Sequence, residues 1–128
     1  MTPCSNRIQE ILEWVNGDCI ADIGCDHAYV VCNAILNHQS KKGYACDVAQ
    51  GPLDNAKKTI EDNELSDFVS CRLLDGIQGL NEDVDQIIIC GMGAKLIIDI
   101  LSKGNLHSGL RFLLSSHKDD FTRIFTRS

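Results

Sequence analysis

At positions 19–24 the chain reads Cys-Ile-Ala-Asp-Ile-Gly, a short and mostly apolar run that ends at a glycine. A run of this length without regular polar alternation is typical of a strand buried on both faces of a sheet, and glycine suits the tight turn that follows. Residues 27–36 are then suited to a helix. The pattern predicts a strand, a turn and a helix in succession, which is the first half of a βαβ unit.

The same alternation of strands and helices extends in both directions from this unit. Before it, apolar residues recur at the spacing of one helix face, with Ser5 or Asn6 as the cap: Ile8, Ile11, Leu12 and Val15. After it, we expect strands at 43–48, 68–73, 85–90 and 111–114, and helices at 50–63 and 94–101. Short strands alternating with helices predict an α/β fold, with a Rossmann-like, doubly wound and mainly parallel sheet flanked by helices.

Composition limits the classes of protein to which the chain could belong. With 128 residues, of which 44% are hydrophobic and 23% charged, it suits one folded domain over residues 1–128. No run approaches the roughly 18 apolar residues of a membrane span, so we expect no membrane partner. The net charge of −6 disfavours a protein that binds nucleic acid over its whole surface. Residues 1–102 carry 7 basic and 16 acidic side chains, whereas residues 103–128 carry 5 and 2, so nucleic-acid contacts would begin in that last segment.

Seven cysteines are present, which is a high and odd number for this length. They form no C-x-x-C pair and no cluster with histidine, so the sequence predicts no metal site. Several lie in apolar runs, Cys46 and Cys90 among them, where a thiol acts as a small hydrophobic side chain. We therefore expect reduced core thiols in a cytoplasmic protein.

The ends of the predicted strands carry the residues best suited to bind a ligand. In an open parallel sheet the ligand lies beyond the carboxyl ends of the strands, where the strand order reverses. The residues there are mostly acidic or glycine: Asp22, Gly24, Asp26, Asp47, Asp75, Gly76, Gly91, Met92 and Gly93. Each of them alone also suits a simple turn, but four consecutive strand ends of this kind exceed the needs of a core.

The first glycine turn discriminates between cofactors. A dinucleotide fold would place a second glycine two residues after Gly24, whereas this chain has Asp26, whose carboxylate would repel a pyrophosphate. S-adenosylmethionine has no phosphate and carries a sulfonium and an ammonium group, which acidic residues attract. Asp47 could accept hydrogen bonds from its ribose hydroxyls, and Asp75 with Gly76 could face its adenine. The spacing favours a methyltransferase over an NAD-dependent oxidoreductase.

A purely structural explanation of the same residues stays open at this point. Asp22 could cap a helix, and Asp26 could be the N-cap of a helix that starts at His27. Asp47 could cap the helix after the second strand. Residues 91–93, Gly-Met-Gly, could form a tight turn between a strand and a helix.

Four segments of the chain, in the same order, resemble the signatures of one family. Residues 21–29 read Ala-Asp-Ile-Gly-Cys-Asp-His-Ala-Tyr, close to the family's DIGxDHAY, and residues 45–53, 72–77 and 89–93 resemble its later motifs. The family is TrmK, the bacterial tRNA (adenine(22)-N1)-methyltransferases. The chain departs from it at Val30-Val31, where Leu-Pro is usual, and at Ala94, where the family has glycine. It also ends before the family's C-terminal helical region, so we expect a partial domain, incomplete at its C-terminal end.

The resemblance implies a bacterial enzyme that uses S-adenosylmethionine to methylate N1 of one adenine in tRNA. This nitrogen has a lone pair, so alignment with the methyl group would supply most of the acceleration without a strong base. The product base is cationic, and Asp26 is the carboxylate that we expect to stabilise it. His27 and Tyr29 would orient or stack the base, and the strand-end residues named above would bind the cofactor.

Two alternative functions follow from the same residues. Without the helical region, the chain could be a truncated, non-catalytic module that binds S-adenosylmethionine. An NAD-dependent oxidoreductase is a further alternative, which Asp26 disfavours. The absence of later strands would also leave the fifth strand, with Phe112, Leu113 and Leu114, at an exposed sheet edge, which predicts a possible dimer.

Overall fold

The regular structure of the chain was obtained from a computed structural model, which describes residues 5–25, 27–75, 77, 79–80, 83–92, 99, 102, 110–116 and 121–126. The helices are α1 (Asn6–Leu12), α2 (Tyr29–Leu36) and α3 (Gln50–Asp62). The strands are β1 (Cys19–Ile23), β2 (Lys42–Asp47), β3 (Val69–Leu73), β4 (Gln86–Met92), β5 (Arg111–Ser116) and β6 (Phe121–Thr126).

The three helices fall where the sequence predicts them. Ser5 caps α1 as expected, since its Oγ accepts a hydrogen bond from the N–H of Ile8 at 3.2 Å. The predicted helix at 94–101 lies outside the described residues, apart from Asp99. In the described part of the chain, no helix is long and apolar enough to cross a membrane.

All six strands belong to one sheet, in the order β3-β2-β1-β4-β5-β6. The first five strands run parallel, whereas β6 is antiparallel to β5. The strand order reverses between β1 and β4, which is the place where open α/β sheets bind ligands. The predicted Rossmann-like α/β fold is therefore confirmed.

A sixth strand is the main difference from the predicted sheet. β6 pairs with the whole of β5, from Arg111 beside Thr126 to Ser116 beside Phe121. This pairing makes β5 an inner strand, so the expectation of an exposed fifth strand is wrong. The outer strands of the described sheet are β3 and β6.

Both faces of the sheet are buried, which explains why β1 and β4 are almost entirely apolar. On one face, Ile20 and Ile88 belong to a cluster that contains Val31 of α2. On the other face, Ile87 and Ile89 belong to a second cluster. The alternation along β4 thus sends successive isoleucines into different cores, and neither face of the strand requires a polar residue.

The second helix begins two residues later than the sequence predicts. Its first residue is Tyr29, and its N-cap is Ala28, which has φ 61 and makes no side-chain cap hydrogen bond. The N–H of Ala28 donates to the carbonyl of Cys25 at 2.7 Å, so a turn precedes the helix. The alternative in which Asp26 caps a helix from His27 is therefore wrong.

Polar side chains fix the segment between α1 and β1 at the opposite, amino-terminal edge of the sheet. Gln86 is 1% exposed; its Oε1 accepts from the N–H of Asn16 at 2.9 Å and its Nε2 donates to the carbonyl of Trp14 at 3.2 Å. Asp85 Oδ2 accepts from the N–H of Cys19 at 3.0 Å. Because buried polar groups are costly without partners, these bonds hold the start of β4 against that segment.

Candidate active site

The carboxyl ends of β1, β2, β3 and β4 meet at one side of the sheet, which we call the carboxyl edge. The parallel register places Ile23 beside both Cys46 and Ile89, and Asp47 beside Leu73. Neighbouring strands lie roughly 4.8 Å apart. The residues that directly follow these strands, which the sequence analysis selected, are therefore brought to the same edge.

The turn after β1 folds against the end of β2. Gly24 has φ 69, in the left-handed region that favours glycine. Its N–H donates to the carbonyl of Cys46 at 2.8 Å, and the N–H of Cys25 donates to the same carbonyl at 3.1 Å. Gly24 is required for this geometry, and it adds no side chain to the surface of the carboxyl edge.

Asp22, the fourth residue of β1, is buried and only 4% exposed. Its carboxylate accepts a hydrogen bond from the backbone N–H of Val31, the third residue of α2. The N–H groups of a first helical turn have no partner within the helix, so Asp22 supplies one from the sheet. This geometry favours the capping explanation for Asp22, and its contact with a cofactor stays a prediction.

Burial also changes the protonation of this carboxyl group. It raises the pKa of Asp22 to about 7, because surroundings with little water disfavour the charged form. The hydrogen bond from Val31 lowers the pKa and the negative charge of Asp47 raises it, each by less than burial does. Asp22 therefore carries a proton part of the time at neutral pH, and a cation at the carboxyl edge would favour its ionised form.

Asp47 ends β2 and is partly exposed. Its Oδ1 accepts a hydrogen bond from the N–H of Ala49 at 3.0 Å, which forms a local turn. The N-cap of α3 is Ala49 and has no side-chain cap bond, so Asp47 does not bond the first turn of that helix. Among the described residues, no other group donates to this carboxylate, and its Oδ2 can accept from a ligand.

Two exposed apolar side chains lie next to Asp47, and the sequence analysis did not select either. Val48 follows it and is 69% exposed, and Leu73, its partner in the neighbouring strand, is 59% exposed. Large apolar side chains exposed together beside a polar group are typical of a binding surface. The available signal was an apolar residue placed directly after a strand-end acid.

The other strand-end residues are described only in part. Asp75 is exposed and follows β3 by two residues. Gly91 and Met92 belong to β4, whose pairing with β5 shifts register there, so the expected turn is wrong for these two positions. Gly76 and Gly93 lie outside the described residues.

His27 and Tyr29 lie together where the turn after β1 meets α2. Their rings are stacked, with centroids 5.1 Å apart and planes inclined by 10°. Both side chains are partly exposed. Asp26, the third member of the predicted catalytic group, lies outside the described residues. The two described members thus form one aromatic unit at the carboxyl edge.

Neither thiol nor metal chemistry is indicated by the described residues. Burial raises the pKa of the Cys25 and Cys46 thiols, which therefore stay protonated at neutral pH and are poor nucleophiles. The six described cysteines are all free thiols. Over the same residues, no group of three or more histidine, cysteine, aspartate or glutamate side chains could hold a metal ion.

Comparison with known proteins gives consistent matches along the chain. Residues 4–122 match the family model described as a methyltransferase domain. The tRNA (adenine(22)-N(1))-methyltransferase of Bacillus subtilis strain 168 is 40% identical over 102 residues, which are 78% of this chain and 43% of that protein.

Solved structures match in the same way. TrmK of M. capricolum, solved with the cofactor product S-adenosylhomocysteine, has a TM-score of 0.79 and 33% identity, covering 86% of this chain and 50% of that chain. TrmK of B. subtilis, described as an m1A22 tRNA methyltransferase, has a TM-score of 0.78 and 35% identity, covering 89% of this chain and 50% of that chain. The chain spans about half the length of these relatives. Over that length it is similar to TrmK proteins, and it belongs to the methyltransferase domain family.

Proposed function

We propose that this chain binds S-adenosylmethionine at the carboxyl edge and transfers its methyl group to N1 of an adenine in tRNA. One observation carries the proposal. An acidic carboxyl edge, built on Asp22 and Asp47 around the turn at Gly24, coincides with the fold of a relative solved with S-adenosylhomocysteine. Because carboxylates repel a pyrophosphate and attract a sulfonium or an ammonium group, this edge favours S-adenosylmethionine over a dinucleotide.

The residues at the end of β2 fit the nucleoside part of such a cofactor. Asp47 Oδ2 would accept hydrogen bonds from the ribose hydroxyls while Oδ1 keeps its bond to Ala49. Val48 and Leu73 would cover the faces of the adenine with apolar surface, and Asp75 would lie near its edge. Gly24, Gly76, Gly91, Met92 and Gly93 remain proposed cofactor contacts.

The methyl group is activated by the positive charge of the sulfonium to which it is bonded. For the transfer itself, the protein must hold N1 of the adenine in line with this methyl group, because the lone pair of N1 needs no strong base. The stacked pair of His27 and Tyr29 offers an aromatic surface on which the target base would be oriented. Asp26 would stabilise the positive charge that develops on the base.

The proposed partner is tRNA, and the proposed location is the bacterial cytoplasm, where tRNA is modified. The basic side chains of residues 103–128 would begin the contact with the RNA backbone. The predicted dimer stays a proposal. Because β5 is an inner strand, its interface would be β3 or β6 instead.

Calorimetry with S-adenosylhomocysteine and with NAD tests the cofactor assignment. We expect heat from S-adenosylhomocysteine only, and binding of NAD alone would indicate an oxidoreductase instead. A chain that binds S-adenosylhomocysteine but leaves unmodified tRNA unmethylated would be the non-catalytic module, an alternative supported by its coverage of only half of its relatives.

A further inference from the structure

A cavity of about 590 Å³ opens at the amino-terminal edge of the sheet, between the end of α2 and the start of β3. Most of its lining is apolar, and two of its side chains are unusually exposed for their size: Leu36 is 38% and Phe68 is 48% exposed. The cavity lies before β2, whereas Asp47 ends that strand of six residues. Roughly 20 Å therefore separates it from the proposed cofactor site.

One side of the cavity carries a buried hydroxyl group. Ser40 is 4% exposed, and its Oγ has no hydrogen-bond partner among the described residues. Buried polar groups in folded proteins are nearly always hydrogen-bonded, because an unsatisfied one has lost water without replacement. Ser40 lines the cavity, so a molecule bound there is a ready source of the missing partner.

Two basic side chains lie beside this hydroxyl. Lys41 lines the cavity next to Ser40, and its ammonium group pairs with no carboxylate in the described part of the chain. His38 also lines it and has φ 60, at the left-handed position after a helix where glycine is usual. This end of the cavity therefore combines an unused donor with positive charge.

The surroundings limit where an anion could lie. The last carbonyls of α2 are already bonded: that of Ala34 accepts from the N–H of Gln39 at 2.9 Å, and that of Ile35 accepts from the N–H of His38 at 3.0 Å. A neighbouring depression is lined by Asp62 and Glu64 and would repel an anion. An anionic group would thus be favoured beside Lys41 and disfavoured towards Glu64.

We propose that this cavity binds a small carboxylic acid with an apolar body. The body would contact Leu36, Leu65 and Phe68, and the carboxylate would accept from Ser40 Oγ and Lys41 Nζ. Such a molecule satisfies the buried hydroxyl, covers the exposed apolar side chains and matches the charge of the cavity. The site is separate from the proposed methyl-transfer function and does not depend on it.

The test is an NMR titration of the full chain, labelled with ¹⁵N, with octanoate, with phenylacetate and with octanol. Either acid should shift the amide signals of residues 35–41 and 65–68, and the better ligand identifies an aliphatic or an aromatic body. Octanol should bind more weakly, because it lacks the carboxylate. Saturating S-adenosylhomocysteine should leave the acid bound.

Two variants and one control assign the contacts. Lys41→Gln and Ser40→Ala should each weaken binding of the acid about tenfold, and Lys58→Gln, an exposed lysine of α3 outside the cavity lining, should not. The proposal is overturned if neither acid binds at about 10 mM. It is also overturned if octanol binds as tightly, if Lys41→Gln has no effect, or if S-adenosylhomocysteine displaces the acid.

Discussion

The carboxylate of Asp22 accepts a hydrogen bond from the backbone N–H of Val31, and this bond joins the central strand of the sheet to the first turn of α2. The TrmK family usually has proline at the position of Val31, and proline has no N–H to donate. This chain therefore provides a donor that the family pattern lacks. The bond acts on a buried acid whose pKa is raised to about 7, so it affects both stability and charge at the carboxyl edge.

The first prediction concerns the pH dependence of stability. Because the pKa of Asp22 rises from 3.8 in the unfolded chain to about 7 in the folded one, the folded state binds more protons between these values. The contribution to stability is complete below the lower value and is lost as the pH rises through the upper one. The free energy of unfolding should fall by up to about 1.4 kcal/mol per pH unit in this window.

Urea unfolding near pH 5 and near pH 8 measures this effect. In Asp22→Asn, which keeps an oxygen acceptor for Val31 but does not titrate, most of the difference between the two pH values should disappear. An equal difference in the variant and in the wild type would exclude Asp22 as its source.

Val31→Pro tests the bond from the donor side. The substitution removes the N–H, and the loss should cost more when Asp22 is ionised, because a hydrogen bond to a charged group contributes about 1.5–3 kcal/mol and a neutral one about 1 kcal/mol. The destabilisation should therefore be larger at high pH than at low pH. In the Asp22→Asn background this pH dependence should vanish, and its persistence there would assign the effect to packing.

The third prediction concerns the bond between Asp47 and the proposed ribose. Asp47→Asn keeps an oxygen for the N–H of Ala49, whereas Asp47→Ala loses it. Both should weaken S-adenosylhomocysteine binding in calorimetry, by about 1–3 kcal/mol for the loss of charge-assisted hydrogen bonds. Asp67→Asn, at an exposed position before β3, should bind like the wild type. Unchanged affinity in Asp47→Asn and Asp47→Ala would remove Asp47 from the site.

Packing of α2 on the sheet gives the fourth prediction. A Cβ atom at Gly43 would overlap Cγ2 of Val31, which is completely buried. Gly43→Ala should lower the free energy of unfolding by about 1–3 kcal/mol, as is usual for overpacking. Gly51→Ala is the matched control, because a Cβ there meets no atom within 4 Å and alanine favours the helix. Equal stability of the two variants would show that α2 adjusts to the added methyl group.

Much of the fold could be predicted because its apolar runs have a simple cause. The strands β1 and β4 are covered on both faces, so the lack of polar alternation in the sequence reports directly on a parallel sheet. Ser5 was recognisable as a cap because it directly precedes the apolar periodicity of α1. β6 was missed because Arg123 and two threonines between its apolar residues resemble a polar tail, and only pairing with β5 makes it a strand.

The site was predictable in position but not in detail. Strand ends placed Asp22 and Asp47 at one edge, yet the two have different environments: the first is 4% exposed, and the second keeps one oxygen accessible. Local sequence does not distinguish them, because burial depends on the helix that packs above the strand. The late start of α2 likewise follows from the left-handed backbone at Ala28, a residue that rarely adopts it.

Formation of 1-methyladenosine in an unmodified tRNA is the most direct test of the proposed reaction. The tRNA is incubated with S-adenosylmethionine and either the wild-type chain or Asp26→Ala, and its nucleosides are then quantified. The wild type should form 1-methyladenosine, and Asp26→Ala should form almost none while binding S-adenosylhomocysteine with similar affinity. Absence of the product with the wild type, or an equal rate with Asp26→Ala, would contradict the proposed reaction or the role of Asp26, respectively.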